Sequence, residues 1–192
     1  TGYTVTVTDG NGCTSALTVT VTEPGTLSTA FSKTDVTCNG GSDGSVNLTV
    51  SGGVPAFTFI WTGGYNTEDL SSIVSGTYTV TVTDGNGCTV SNSITITQPS
   101  ALSLPLTITS ANCGQSDGAA GVTASGGTGP YIYIWTGGST NSNAAGLAAG
   151  NYTVTVTDSK GCTATTTATV PNSTGGTATA NITTNVLCNG IC

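Results

Sequence analysis

Apolar and polar residues alternate strictly through Tyr78-Thr79-Val80-Thr81-Val82-Thr83, which predicts a strand with Tyr78, Val80 and Val82 on one face and threonine hydroxyls on the other. The same period of two runs through Val46, Leu48 and Val50, through Phe57, Phe59 and Trp61, and through Ile94 and Ile96. It returns in Val122 and Ala124, in Tyr131, Tyr133 and Trp135, in Val154 and Val156, and in Ala168 and Val170. Clusters of Gly, Asn, Asp, Ser and Pro interrupt these runs every eight to twelve residues or so, the rhythm of a β-sandwich. No stretch has helical periodicity, so the predicted fold class is all-β.

The alternation sits inside an internal repeat. Gly2 to Cys13, Gly76 to Cys88 and Gly150 to Cys162 share the pattern Y-T-V-T-V-T-D-x-x-G-C, offset by 75 residues (Cys13 to Cys88) and 74 (Cys88 to Cys162). A second block, Val36 to Gly44, returns as Ala111 to Gly118, and Asn185 to Gly190 opens a further copy. The predicted organisation is the F-G hairpin of a truncated repeat (1–24), a complete repeat (26–98), a second complete repeat (101–171), and a linker with the first strand of another (172–192). Tandem repeats of about 75 residues predict an elongated rod of small sandwiches. The chain opens inside a strand and carries no signal-peptide pattern, so a longer parent chain is expected.

Within each complete repeat a Trp lies on the third strand (Trp61, Trp135), with a Tyr 17 residues later (Tyr78, Tyr152). Immunoglobulin-like sandwiches place a core Trp and a corner Tyr in this way. In the first copy the strands are expected at A 27–37, B 44–51, C 56–61, short D and E within 65–74, F 77–83 and G 89–97.

Taken in order, C-x-G-G-S-D-G, S-G-G-x-x-x-(F/Y)-x-(F/Y)-x-W and (L/I)-x-x-G-x-Y-T-V-T-V-T-D-x-x-G-C-T resemble the SprB repeat of giant cell-surface adhesins in gliding Bacteroidetes. The resemblance implies an extracellular filament exported by the type IX secretion system and used for attachment and gliding. It brings no catalytic residue. The second copy departs in Gln115, in a loop one residue shorter, and in Ala119, Ala120 and Gly121, which replace bulkier residues and predict a thinner core.

Charge narrows the partners. Charged residues make up 6% of the chain, with no His, two basic residues and a net charge of −7. No Lys or Arg cluster exists to neutralise phosphates, which argues against nucleic acid and anionic membranes. No run of about 18 apolar residues appears, so membrane insertion is not expected. Expected partners are neighbouring repeats of the same long chain, with lateral self-association open.

Seven cysteines supply the main candidate chemistry. Two per repeat at fixed places, without a CxxC pair or imidazole, favour disulfides over zinc and fit an extracellular location. Cys38 falls in the A-B loop and Cys88 in the F-G turn, at opposite poles of a sandwich. Strand B separates them by about 25 Å, whereas a disulfide needs Cα atoms within about 7 Å. The expected bond therefore crosses the joint between repeats, Cys38 to Cys162. Cys13, Cys88, Cys113, Cys188 and Cys192 are expected to be unpaired within this chain.

No cofactor is expected. Asp43, Asp84 and Asn86 offer oxygens for calcium, but each loop has one carboxylate, short of the several ligands calcium takes, and Asp or Asn before Gly is an ordinary turn former. Glu68 and Asp69 are adjacent strand residues facing opposite ways, unlike a glycosidase pair. The function expected is a non-catalytic shaft of a surface adhesin. The alternative is a carbohydrate-binding array or an accessory domain of a secreted enzyme, with Tyr65 as candidate sugar platform and Ser139 at its place in the second copy.

Overall fold

The computed structural model describes residues 1–173, so the opening strand of the further copy, with Cys188 and Cys192, lies outside the described residues. The described residues form fourteen strands and no helix. The chain divides into two compact units, Thr1–Pro99 and Ser100–Cys192.

Three hairpins follow from the threefold motif. They are β1 (Gly2–Thr8) with β2 (Thr14–Thr20), β7 (Gly76–Thr83) with β8 (Thr89–Ile96), and β13 (Gly150–Thr157) with β14 (Thr163–Val170). All are antiparallel, with matching registers: Tyr3 faces Val19, Tyr78 faces Ile94 and Tyr152 faces Ala168. Each turn closes through an aspartate carbonyl that accepts the N–H of a left-handed glycine three residues on, as in Gly87 N–H to Asp84 O at 3.0 Å with Gly87 at φ +83°. Glycine supplies that conformation without steric cost, which explains D-x-x-G at each tip.

In the first unit, β3 (Ser28–Thr34), β4 (Gly44–Ser51) and β6 (Leu70–Ile73) form one sheet in the order β3-β4-β6. The other sheet, β5-β7-β8, adds β5 (Thr58–Trp61) to the hairpin. Val46, Leu48, Leu70 and Ile73 from the first sheet meet Trp61, Tyr78, Val80, Val82 and Ile96 from the second in one buried core. The period-two pattern thus places one face of each sheet against the other, and removing that apolar surface from water is the main stabilising term.

The second unit repeats this plan. Its sheets are β12-β10-β9 and β11-β13-β14, built from β9 (Leu106–Thr109), β10 (Gly118–Val122), β11 (Ile132–Trp135), β12 (Asn143–Leu147) and the third hairpin. Its core contains Ala111, Ala120, Ala144 and Ala168 around Trp135, Val154 and Val156. Alanines stand where the first unit has Val36, Val46, Leu70 and Ile94, so less apolar area is buried per residue.

Two expectations for the first copy need correction. The segment 65–74 holds one strand, β6, and not two. The stretch before it is bound to the core Trp instead of to a neighbouring strand: Trp61 N–H donates to Tyr65 O at 2.9 Å, and Trp61 Nε1 donates to Thr67 O at 2.9 Å. Strand A also stops at Thr34 and not at 37. Beyond it the chain crosses to the opposite sheet, where Val36 N–H donates to Thr97 O at 2.9 Å and Thr97 N–H donates to the Asp35 carboxylate at 2.7 Å. Lys33 reinforces the crossing by binding both Asp35 and Thr95 O.

Candidate functional site: the cysteine turns at the ends of each sandwich

Two anchors fix each sandwich. Trp61 and Trp135 are buried on the third strand, and Trp135 Nε1 donates to Asn141 O at 2.9 Å as Trp61 does to Thr67 O. The Tyr78 hydroxyl donates to Val74 O at 3.0 Å and that of Tyr152 to Ala148 O at 3.1 Å. Both tyrosines reach four residues back along the chain, which locks the turn into strand F and satisfies a hydroxyl set in apolar surroundings.

With the sheets held in this way, the two cysteine positions of a repeat go to opposite ends. The F-G turn lies where the chain comes in. In the first unit Gly53 N–H donates to Gly25 O at 2.7 Å, Val54 N–H to the Asp84 carboxylate at 3.0 Å and Gly85 N–H to Val54 O at 2.9 Å. In the second, Gly127 N–H donates to Ser100 O and Thr128 N–H to the Asp158 carboxylate. The A-B loop lies where the chain leaves: Gly40 N–H donates to Gln98 Oε1 at 2.8 Å and Asn39 Nδ2 to Pro99 O at 3.0 Å. Its counterpart accepts Ser173 Oγ at Asn112 Oδ1 at 3.0 Å.

Cys38 and Cys162 are disulfide-bonded and half-buried. Cys13, Cys88 and Cys113 are free, exposed thiols. Cys188 and Cys192 lie outside the described residues.

Asp84 and Asp158 organise the cysteine turns, a role that the pattern D-x-x-G-C, three times repeated, signals in hindsight. The Asp84 carboxylate is buried and accepts N–H bonds from Val54, Asn86 and Cys88, at 3.0, 2.9 and 2.8 Å. Asp158 accepts the equivalent three from Thr128, Lys160 and Cys162, each at 2.9 Å. The N–H of Val54, followed by those of Cys88 and Asn86, holds the Asp84 carboxyl below the ordinary aspartate value of 3.8 against the opposing effect of burial. For Asp158 burial is the largest single influence and pushes upward, but the N–H groups of Thr128, Cys162, Lys160 and Gly161 together outweigh it and leave the pKa lowered.

A carboxylate with a folded pKa below its unfolded one stabilises the fold above the unfolded value, and that contribution disappears as pH falls through the lowered one. With no histidine in the chain, the melting temperature is expected to stay flat from neutral pH down to about pH 5 and then to fall as the aspartates protonate. The double variant Asp84→Asn, Asp158→Asn is expected to melt several degrees lower at neutral pH and to lose much of the acid slope. A melting temperature as acid-sensitive as the parent's would show that other carboxylates carry the effect.

The candidate calcium ligands do not converge. Asp43 sits in the A-B loop, where its carboxylate accepts Thr37 N–H at 3.0 Å, while Asp84 and Asn86 sit in the F-G turn at the other end. The Asp84 oxygens already face three N–H donors, surroundings that suit an anion and not a cation. Among the described residues no cluster of three or more His, Cys, Asp or Glu could hold a metal. Among the described residues no helix is long and apolar enough to cross a membrane.

Asp69 and Tyr65 are likewise engaged in structure. Asp69 accepts Leu48 N–H at 2.9 Å just past Val46 and Leu70, where the pairing of β4 with β6 has ended, so it replaces a missing strand bond. Tyr65 is exposed on one side and leans on Tyr78, with ring centroids 6.4 Å apart. At its place in the second copy, Ser139 O accepts Trp135 N–H just as Tyr65 O accepts that of Trp61. The position therefore works through its backbone, and the Tyr78 ring beside Tyr65 is buried and adds no exposed face.

Two antiparallel three-stranded sheets, A-B-E and C-F-G, packed about a third-strand Trp and closed by a corner Tyr, define an immunoglobulin-like sandwich repeat. The family model of the SprB repeat matches the chain twice, at residues 30–66 and 106–140, and both segments therefore carry the SprB repeat pattern. No curated protein matches the chain. Among solved structures, the chain is similar to the N-terminal eight Ig domains of Down Syndrome Cell Adhesion Molecule (13% identity, TM-score 0.45), covering 90% of this chain and 28% of that one. It is also similar to the C-terminal 282-residue fragment of intimin, crystallised with the intimin-binding domain of the translocated intimin receptor (16% identity, TM-score 0.40, 76% of this chain and 64% of that one). A third is Dpr2 Ig1-Ig2, solved in complex with DIP-Theta Ig1-Ig3 (12% identity, TM-score 0.34, 90% of this chain and 72% of that one).

Proposed function

We propose that this chain is a section of the non-catalytic shaft of a cell-surface adhesin filament, stapled at its joints by disulfides. Each sandwich holds its A-B cysteine where the chain leaves and its F-G cysteine where the chain comes in. That placement is the observation on which the reading rests. Cys38 and Cys162 are then bonded to each other across the short connection between repeats, a bond in the usual range of about 2–4 kcal/mol. The repeat boundaries are those of the sequence period, 26–98 and 101–171, flanked by parts of two further repeats at 1–24 and 172–192.

Support for a surface role comes from the two SprB repeat matches and from the oxidised cysteines, which suit an extracellular location. The resemblance extends the proposal to type IX secretion and to gliding motility. The candidate acidic and aromatic residues engaged in structural bonds favour a spacer over an enzyme or a glycan-binding module.

Stretching single molecules from their ends tests the staple. A bond from Cys38 to Cys162 shields about 124 residues (162 less 38) from tension, so reduction is expected to lengthen the stretched chain by about 410–450 Å at roughly 3.3–3.6 Å per residue. Equal extension with and without reductant would remove the staple from the proposal.

A further inference from the structure

The two cysteines of the proposed staple are tied to neighbouring residues of one short connection. On the first unit's side, the loop that starts at Cys38 grips the departing chain: Asn39 Nδ2 donates to Pro99 O at 3.0 Å and Gly40 N–H donates to Gln98 Oε1 at 2.8 Å. On the second unit's side, Ser100 O accepts Gly127 N–H at 2.8 Å. The next residue, Thr128, donates its N–H to the Asp158 carboxylate at 2.9 Å, and the same carboxylate accepts Cys162 N–H at 2.9 Å. Hydrogen bonds thus hold Pro99 to the Cys38 loop and Ser100 to the segment that shares Asp158 with Cys162. Only the peptide bond from Pro99 to Ser100 lies between the two grips. The connection is itself stiff, because proline fixes its own φ and keeps the residue before it extended.

The grip on the incoming chain is common to both units, since Gly53 N–H donates to Gly25 O at 2.7 Å just as Gly127 N–H does to Ser100 O. The grip on the departing chain depends on particular side chains. In the second unit Gly114 follows the cysteine, so no side chain there can do what Asn39 does. Asn39 and Gln98 are both exposed, and packing of the core does not account for them.

We infer that Asn39 and Gln98 are positioning residues for the staple: by clamping Gln98-Pro99-Ser100 they make the connection a template that presents Cys38 to Cys162. The inference rests on the proposed Cys38–Cys162 pairing. Along the sequence that bond closes a loop of 124 residues (162 less 38), which for a flexible chain carries a large entropic cost. In the folded chain the freedom left to remove is that of the few residues around Pro99, and the clamp removes much of it beforehand. Holding two reacting groups in this way raises their effective concentration above the millimolar range of a flexible tether.

Oxidised glutathione serves as the oxidant. One of the two cysteine thiolates attacks a glutathione sulfur, forming a mixed disulfide and expelling one glutathione thiolate. The other cysteine thiolate then attacks the protein sulfur of that mixed disulfide, forming the Cys38–Cys162 bond and expelling the second glutathione thiolate. The two released thiolates take up the two protons lost by the cysteines.

The test equilibrates the full 192-residue chain with reduced and oxidised glutathione, quenches it with acid and reads the Cys38–Cys162 peptide against its reduced parts by mass spectrometry. That ratio and the glutathione concentrations give the effective concentration of the pair. Three variants are compared with the parent. Asn39→Ala with Gln98→Leu removes both side-chain bonds, Gln98→Glu keeps an acceptor oxygen for Gly40 N–H, and a Gly-Gly-Ser-Gly-Gly insertion between Pro99 and Ser100 keeps both grips but parts them. The double variant is expected to lose about tenfold in effective concentration, a shift of about 30 mV for a two-electron couple. Gln98→Glu is expected to match the parent, and the insertion to fall to the millimolar range of a flexible tether. All four reduced chains are expected to melt alike. A double variant or an insertion with the parent's effective concentration, a loss shared by Gln98→Glu, or a reduced double variant that melts clearly lower would each overturn the positioning role. Absence of the Cys38–Cys162 peptide from the parent defeats the underlying pairing, whereas its presence at one effective concentration in all four chains defeats the template alone.

Discussion

Replacing Trp61 by alanine is expected to unfold the first sandwich and leave the second folded. Trp61 is fully enclosed by both sheets, packs against Phe31 with ring centroids 6.0 Å apart, and ties the 65–67 segment down through its indole N–H. Truncating a buried Trp to Ala costs about 3–5 kcal/mol. A single core of this size rarely supplies more than about that amount in total. Each unit contains one of the chain's two tryptophans, so Trp135 remains in the variant to report on the second unit alone. The expected record is one lost transition on heating and a surviving, buried Trp135 emission that melts separately. Trp61→Phe keeps a ring in the core but forfeits the bond to Thr67, and is expected to lower the midpoint without abolishing the transition. Loss of the buried Trp135 emission in Trp61→Ala would mean that the two sandwiches fold as one cooperative body.

The second large effect is expected at Gly126. It lies at φ +78°, and a Cβ there would run into the carbonyl oxygen of Ala101, a backbone atom without a flexible route of retreat. Gly52 stands in the same relation to Thr26 in the first unit. Gly126→Ala is expected to cost about 1–3 kcal/mol for the left-handed backbone, with the collision added to it. Gly138→Ala separates the two contributions, because Gly138 has a similar φ of +88° but open space around its missing Cβ. Urea midpoints for both variants check the argument. Similar losses would assign the whole effect to backbone conformation and none to the close approach.

Much of this was legible in the sequence because period two translates directly into which side chains share a sheet face. The partition of Tyr78, Val80 and Val82 from the intervening threonines needs only the pleat. The Trp-to-Tyr spacing and the recurring D-x-x-G-C turn were visible as well. Val36 and Ala111 were harder to read as core, since they fall past the end of strand A in a segment that changes sheets, where alternation no longer marks a face. The segment 65–74 reads as two strands in the sequence and forms one, at 70–73, because the indole of Trp61 and the carboxylate of Asp69 take up backbone groups that a further strand would otherwise bond. Side chains replacing ladder bonds leave no periodic trace.

The first and second hairpins divide what the sequence determines from what only the tertiary structure decides. Both read Y-T-V-T-V-T-D-G-N-G-C, and both fold into antiparallel ribbons of the same register with the same turn. Local stereochemistry is enough for that, because alternation, a glycine at the left-handed position and β-branched residues act over neighbouring positions. Burial is a different matter. Tyr3, Val5 and Val7 are 61, 63 and 65% exposed, while Tyr78, Val80 and Val82 are 8, 0 and 0% exposed. An apolar face becomes a core only where a second sheet covers it, and in the first unit residues distant in the chain, from Val46 to Ile73, provide that cover.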